Sequence, residues 1–550
     1  MKRTLLPILL ASATVAFARN PKIAADLEDS DPNSTVDVIV QFKEAPTPAR
    51  HGHMLAMSAR LKSHLGVANL AAYRVDAAAL ESLANDPDVA YISPDRPVEA
   101  AGGSLANDYK LQAVNANIAQ QYGWNGTGIG VAVIDSGIQD KPDFHGPSGY
   151  RVVYAQNFIQ SGSAVDDYGH GSHVAGIIGG TGGQSFGTYA GVATNVNLIN
   201  LKALDKTGAG TDSAVIAAIN QAIALKSAYN IRVINLSLGR PVFESYTLDP
   251  LCQAVESAWK AGIVVVVAAG NSGRTTSANT SGYGTITAPG NDPYVITVGA
   301  MKTQGTASKG DDYIASYSSK GPTLYDYVVK PDIVAPGNRM VSVLGSNTLL
   351  QVALAQNYPG NIIYNNAYFI LSGTSMAAPM VSGTVALMLQ QNPSLTPDLV
   401  KARLMKTASK SFPTSSIATD PVTGTMYTSY YDVFTVGAGY LDTWAALNNA
   451  DALPAGKTAL SPTASYNASN GTVSVVNGSS LAWGTNVVWG TNVVWGTNIF
   501  VNGSNVVWGT SIAWGTSATT GFSSIWSNSI AWGTSAPTTE AVAVAINGEN

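Results

Sequence analysis

In Ile129-Gly-Val-Ala-Val-Ile-Asp135-Ser-Gly137 an apolar, β-branched run ends abruptly on a carboxylate and a turn-forming glycine. A run without polar alternation fits a strand buried on both faces. The same pattern returns at residues 196–201, 233–236 and 263–268. Between the second and third of these, residues 212–228 place Val215, Ile219 and Ile223 at i, i+4 and i+8, with Thr211 as N-cap. Strand-like and helix-like stretches alternate from Gly128 to about Ala446, which predicts an α/β domain with a mostly parallel sheet and helices on both faces.

Upstream, residues 36–99 form a small α+β pattern: a strand at 36–42, a helical stretch near 54–65, and then apolar stretches at 73–75, 77–83 and 89–92. A loose Ala100-Ala-Gly-Gly-Ser104 link follows. At the N-terminus, Lys2 and Arg3 precede an apolar run from Leu5 to Phe17, and Ala16-Phe-Ala18 reads as a cleavage site, so residues 1–18 are expected to direct export. Downstream, residues 451–550 turn to Ser, Thr, Asn, Gly and Trp. Seven of the 10 tryptophans fall at 483, 489, 495, 508, 514, 526 and 532, a six-residue unit close to Trp-Gly-Thr-Asn-Val-Val. Hairpins with Gly-Thr turns and a β-solenoid of six-residue coils fit this spacing equally well, so the extension is expected to be repetitive and β-rich.

Only 12% of residues are charged, about half the usual share of roughly 25%, and the net charge is -5. No basic footprint exists, which excludes nucleic-acid backbone recognition. The one cysteine, Cys252, allows no internal disulfide; it falls in a helix-like stretch before an apolar strand and reads as a buried, inert thiol.

Three motifs place reactive groups where such a scaffold exposes them. Asp135 ends its strand, and open α/β sheets keep their ligands at the carboxyl ends of strands. His170 opens His170-Gly-Ser-His173-Val-Ala-Gly176 at the start of a helix, and Ser375 lies in Ser372-Gly-Thr-Ser375-Met-Ala-Ala-Pro379 ahead of another. An alcohol, a base to take its proton and a carboxylate to orient the imidazole are what nucleophilic acyl transfer requires. Asn271, in Val267-Ala-Ala-Gly-Asn271-Ser-Gly273, adds an amide that can donate to a tetrahedral oxyanion.

Together these four motifs resemble those of the subtilisin-like serine proteases, the subtilase family, over residues 105–450. The resemblance implies a subtilisin-like fold, with Asp135 as orienting carboxylate, His170 as general base and acid, Ser375 as nucleophile, Asn271 as oxyanion donor and His173 as a second, noncatalytic histidine. It also implies that Ser237, Leu238 and Gly239, within Asn235-Leu-Ser-Leu-Gly239, pair with the substrate backbone, and that Ala268 and Gly270 wall the specificity pocket. The glycines leave room for a large P1 side chain and no carboxylate lies in these segments, so an apolar or aromatic P1 residue is expected. Residues 19–104, with Pro87-Asp-Val-Ala-Tyr-Ile-Ser-Pro-Asp95, are similar to the family's inhibitory propeptide, cut near Ala100 to Leu105. His51, His53 and His64 there are read as solvated.

Protein or peptide substrates and the chain's own propeptide are therefore the implied partners, with no nucleic acid. Catalysis needs no cofactor or metal. The family's calcium loop has no clear counterpart in Gly180-Thr-Gly-Gly-Gln-Ser-Phe-Gly187, although Asp143 matches a family calcium ligand. For the Trp-rich tail, a spacer and a contact with polysaccharide or cell surface both stay open. An esterase elbow around Ser375 is excluded by chain order, because that fold needs its histidine after the serine. A zinc peptidase lacks the HExxH glutamate.

Overall fold

The computed structural model describes residues 20–24, 27, 31–64, 69–95, 108–147, 149–159, 162–274, 282–413, 415–420, 424–467 and 472–476. The export segment, the maturation region at 100–105 and the seven tail tryptophans lie outside the described residues. The chain divides into two compact units, Met1–Ser104 and Leu105–Asn550.

In the first unit, β1 (Thr35–Phe42), α1 (Pro48–Ala56), β2 (Ala59–His64), β3 (Leu70–Asp76), α2 (Leu80–Ala84) and β4 (Val89–Pro94) follow in order. The strands form an antiparallel sheet in the order β2-β3-β1-β4. Val38, Val40 and Phe42 alternate inward along β1 and meet Met54, Tyr73, Val75, Leu83 and Ile92. The helix expected at 54–65 is corrected: α1 begins at Pro48 behind the Thr47 cap, ends at Ala56, and is followed by a strand. Ser58 turns the chain at φ 62°, and residues 59–64 pair with β3, an edge-strand contact that overrides the helical propensity of Ala, Leu and Lys.

The second unit contains β5 (Gly130–Asp135), β6 (Val152–Asn157), α3 (His170–Gly179), β7 (Asn197–Lys202), α4 (Asp212–Ala224), β8 (Ile231–Leu236), α5 (Pro250–Lys260), β9 (Val264–Ala268), β10 (Ile296–Lys302), β11 (Ile333–Pro336), α6 (Thr374–Gln391) and α7 (Pro397–Thr407). Among the described residues, seven parallel strands run in the order β6-β7-β5-β8-β9-β10-β11, and Tyr313–Ile314 adds a short antiparallel piece beside β10. Every residue of β5 and β9 is buried, as a sheet covered on both faces demands. One cover is the packed pair α3 and α6, and the other is the pair α4 and α5. Thr211 Oγ1 caps α4 by accepting from Ala214 N at 3.3 Å, and Val215 and Ile219 are buried as their spacing requires.

From β5 the chain crosses to the edge strand β6, comes back inward to β7 beside β5, and then builds β8 to β11 in turn on the other side. The direction reverses between β5 and β8, where the carboxyl ends of the strands leave a crevice.

The composition change near residue 452 does not mark the edge of the packed unit. Ala459, Ser461 and Ala464 are buried, and Val329 N donates to Pro462 O at 2.8 Å while Ala464 N donates to Tyr327 O at 2.7 Å. Cys252 is buried on α5, donates to Asn291 Oδ1 at 3.3 Å, and has its thiol pushed far up by burial, as an inert thiol should.

Candidate active site

Asp135 is the last residue of β5 and His170 the first of α3. The carboxylate is buried, and its Oδ1 accepts from Ser136 N at 2.7 Å and meets His170 Nδ1 at 2.8 Å. A carboxylate only accepts, so Nδ1 carries the proton and Nε2 is left with a lone pair. Burial pulls the His170 imidazolium down, but the charge and hydrogen bond of Asp135, helped by Asp166, outweigh it, so its pKa stands above the ordinary 6.5.

Sequence reasoning missed Asp166. Its Oδ1 accepts from Ser136 Oγ at 2.8 Å, Tyr168 N at 3.1 Å and Gly169 N at 2.7 Å, and its Oδ2 accepts from Ser172 N at 2.8 Å. Ser136 Oγ in turn accepts from Gly171 N at 2.9 Å. The neighbour of Asp135 and the neighbours of His170 are thus fastened to one carboxylate, which fixes the ring against β5. Gly169 completes the loop at φ 107°, where a Cβ would lie 2.7 Å from Thr348 Oγ1. The N-cap of α3 is Gly169, so Asp166 falls outside the capping pattern and carried no signal in the sequence.

Ser375 is the second residue of α6. Its hydroxyl donates to Ser237 O at 3.2 Å, and Ser237 Oγ donates to Ser375 O at 2.8 Å. Ser375 therefore rests against the residue that follows β8, with no hydrogen bond to His170 in this conformation; both line one cleft of about 650 Å³. Asn271 follows β9 and lines the same cleft. Its Oδ1 accepts from Thr374 N at 2.9 Å and from Thr374 Oγ1 at 3.0 Å. A backbone N–H can only donate, so the facing atom is oxygen and the amide NH₂ points the other way, beside Gly373. Asn235, buried at the end of β8, braces the cluster: its Nδ2 donates to Ser237 Oγ at 2.9 Å and its Oδ1 accepts from Ser382 Oγ at 2.8 Å.

Ser237, Leu238, Gly239, Ala268 and Gly270 all line the cleft. Thr287, unremarked in the sequence, stands between the two glycine segments: a Cβ on Gly239 would meet its Oγ1 at 2.5 Å, and one on Gly270 its Cγ2 at 2.8 Å. The room that the glycines open is partly filled by this side chain.

His173, one helical turn beyond His170, takes no part in the cleft. Its Nε2 donates to Met340 O at 3.0 Å and Phe369 O at 3.2 Å, and burial, with the charge of His170, lowers its pKa to about 3. Asp143 does not fit a calcium site: Oδ1 accepts from Tyr368 Oη at 2.8 Å, Oδ2 accepts from Gln184 Nε2 at 3.1 Å, and the Arg151 guanidinium donates to its carbonyl at 2.8 Å. Donors and a cation surround the oxygens that a metal would need.

The profile of the subtilase family matches residues 126–424, more than half of the chain. The chain belongs to the subtilase family. Serine protease AprX of Bacillus subtilis (strain 168) is 38% identical over 387 residues, covering 67% of this chain and 82% of that protein. Subtilisin E of the same organism is 32% identical over 411 residues, covering 74% and 92%. Among solved structures, a cold adapted subtilisin-like serine proteinase aligns at 31% identity with a TM-score of 0.38, over 52% of this chain and 84% of that one. As a subtilase the protein is a serine endopeptidase acting on protein or peptide substrates. No helix of this subtilase is long and apolar enough to cross a membrane among the described residues.

Proposed function

We propose that this subtilase is a secreted endopeptidase made as an autoinhibited precursor, in which Asp135, His170 and Ser375 form the catalytic triad and Asn271 the oxyanion hole. The observation that carries this reading is the convergence of His170, Asn271 and Ser375 on one cleft at the carboxyl ends of the central strands, with buried Asp135 hydrogen-bonded to His170 from behind.

Catalysis starts with a rotation of Ser375 about its Cα–Cβ bond, from the Ser237 carbonyl toward His170. Nε2 takes the hydroxyl proton as Oγ attacks the scissile carbonyl carbon, and Asp135 stabilises the imidazolium that forms. Asn271 Nδ2 donates to the oxyanion. When the intermediate collapses, His170 returns the proton to the leaving amine, and water then hydrolyses the acyl-enzyme by the same route. Ser237, Leu238 and Gly239 hold the substrate backbone, and Ala268 and Gly270 flank the P1 side chain.

Export by residues 1–18 is supported by the basic, apolar and Ala-x-Ala succession, and inhibition by residues 19–104 by their folding as a unit of their own. Intact mass spectrometry of the secreted wild type beside Ser375→Ala tests the whole reading. The wild type should lose the residues before about 105 and the variant should keep them. Retention by both overturns self-processing. For the Trp-rich extension, retention on polysaccharide or cell envelope of the full chain, but not of a chain ending at residue 467, supports a binding role; equal behaviour makes it a spacer.

A further inference from the structure

The turn that carries Asn271 is tied along its length to residues 316–319. Ser319 N donates to Gly270 O at 3.0 Å, Ser272 N donates to Ser319 Oγ at 3.1 Å, and Gly273 N donates to Tyr317 O at 2.8 Å. Gly273 lies so close that a Cβ there would fall 2.1 Å from Ser318 O. Arg274 adds a further tie through a side chain that is only 3% exposed. Its Nε donates to Ser316 Oγ at 2.8 Å and its Nη1 to Asp420 Oδ2 at 2.5 Å. The guanidinium carbon lies 5.0 Å from the ring centre of Tyr427 and 6.0 Å from that of Tyr317.

Asp420 and Tyr427 belong to a hairpin of β12 (Ser415–Thr419) and β13 (Met426–Tyr430), which forms a two-stranded sheet of its own. Asp420 closes the turn, donating from its N to Thr425 O at 2.8 Å and accepting from Gly424 N at 2.9 Å, and Tyr427 pairs with Ala418. A lone hairpin is marginal in water and needs a surface to rest on. The face with Ile417 and Met426 is exposed, whereas the face with Ser416 and Ser429 is buried and brings Tyr427 to Arg274. Burial of a guanidinium is costly unless a carboxylate meets it, and Asp420 supplies one. The turn at 271–274 and the hairpin are therefore ordered together.

Resting on the reading of Asn271 as oxyanion donor, we propose that Arg274 is a positioning residue for the oxyanion hole: the hairpin grips it through Asp420 and Tyr427 and so holds the Asn271 amide in line with the developing charge. Thr374 sets the rotation of that amide through its N–H and hydroxyl. Arg274, three residues on, sets where the main chain beneath the amide lies. A displacement too small to disturb substrate binding still costs rate, because the donor must meet an oxyanion that forms only in the transition state.

The test is a double-mutant cycle on the processed enzyme with a peptide anilide. The kcat is expressed per site labelled by phenylmethanesulfonyl fluoride, so that misfolded chains are not counted. Arg274→Met, which keeps the stem and removes the fork, should lower kcat about tenfold with KM little changed. Arg274→Lys, which can reach Asp420 or Ser316 but not both, should recover part of that loss. In an Asn271→Ala background Arg274→Met should have almost no further effect, since no amide is left to misplace. An equal loss in both backgrounds, a change in KM alone, or no loss at all overturns the proposal. If Asn271→Ala by itself leaves kcat unchanged, the oxyanion reading has failed and the proposal falls with it. If Arg274→Met does not accumulate, Asp420→Asn carries the same cycle. It keeps the shape of the side chain and removes its charge, so it should lower kcat about threefold beside Asn271 and not at all beside Asn271→Ala. Equal losses in the two backgrounds again overturn the proposal.

Discussion

Ser237 and Ser375 are hydrogen-bonded to each other twice in opposite senses, hydroxyl to carbonyl in each direction, at 2.8 and 3.2 Å. The nucleophile is thereby tied to the segment proposed to bind the substrate backbone, and one of the two bonds must break before Ser375 can attack. The bond that persists is the one donated by Ser237.

Ser237→Ala removes that persistent bond and leaves the Ser375 carbonyl without its donor. A hydrogen bond of this kind contributes about 1 kcal/mol, or roughly fivefold in rate if it is felt at the reacting centre. The kcat should fall by about that factor with KM little changed. Steady-state kinetics on a peptide anilide checks it; a rise in KM alone would mean that the Ser237 hydroxyl acts through the bound substrate and not through Ser375.

Asn271→Ala should lower kcat by about 10² to 10³, the cost of removing the corresponding asparagine of subtilisin, with a smaller change in KM, since the contact strengthens only as the oxyanion forms. Thr374→Val adds a finer test. It keeps the backbone donor to Asn271 Oδ1 at 2.9 Å and deletes the hydroxyl donor at 3.0 Å. A loss of kcat much smaller than that of Asn271→Ala would show that the backbone N–H is enough to orient the amide.

The strands and the reactive residues were legible in the sequence because each follows from local chemistry. Residues 131–134 and 264–268 are apolar at every position, which only a doubly covered sheet tolerates. Asp135, His170, Ser375 and Asn271 each sit in a short motif whose residue types announce a role. What stayed hidden depends on contacts between distant residues. The edge strand at 59–64 is set by pairing with β3, Thr287 matters only because Gly239 and Gly270 fold against it, and Ser461 reaches Lys401 across 60 residues of chain. Asp166 lies between these cases, local to His170 but unremarkable until its bond to Ser136 is seen.

Activity requires neutral His170, whose pKa is raised above 6.5. The acid limb of kcat/KM should therefore have its midpoint above 6.5, and a pH–rate profile with a midpoint below that value would contradict the Asp135 contact. Because the folded value lies above the unfolded one, the contribution of this pair to stability is fully present below pH 6.5 and lost as pH rises through the folded pKa. Asp135→Asn should abolish the upward shift and lower kcat by about 10⁴, as expected when the wrong tautomer is favoured.

Thr287→Gly should enlarge the pocket between Gly239 and Gly270. The change in volume is that of a small side chain, for which discrimination of about 10-fold or more is reasonable. The ratio of kcat/KM for P1 Phe over P1 Ala substrates should rise by that order. An unchanged ratio would mean that the P1 side chain does not reach Thr287.

His173 contributes to the acid limit of stability. It is buried and neutral, donates from Nε2 to two carbonyls, and has its pKa lowered to about 3. Between about 3 and 6.5 the unfolded chain binds a proton there that the folded chain does not. The contribution of this group to folding stability must therefore fall as pH falls through this window, with a slope of up to about 1.4 kcal/mol per pH unit. His173→Gln, which keeps an N–H donor and cannot titrate, should have a shallower acid limb and unfold at lower pH than wild type relative to its own stability at pH 7. Circular dichroism across pH 3 to 7, with both proteins carrying Ser375→Ala, checks it. Parallel acid limbs for the two would mean that His173 is already protonated in the folded state, which two carbonyl oxygens facing Nε2, and none facing Nδ1 among the described residues, argue against.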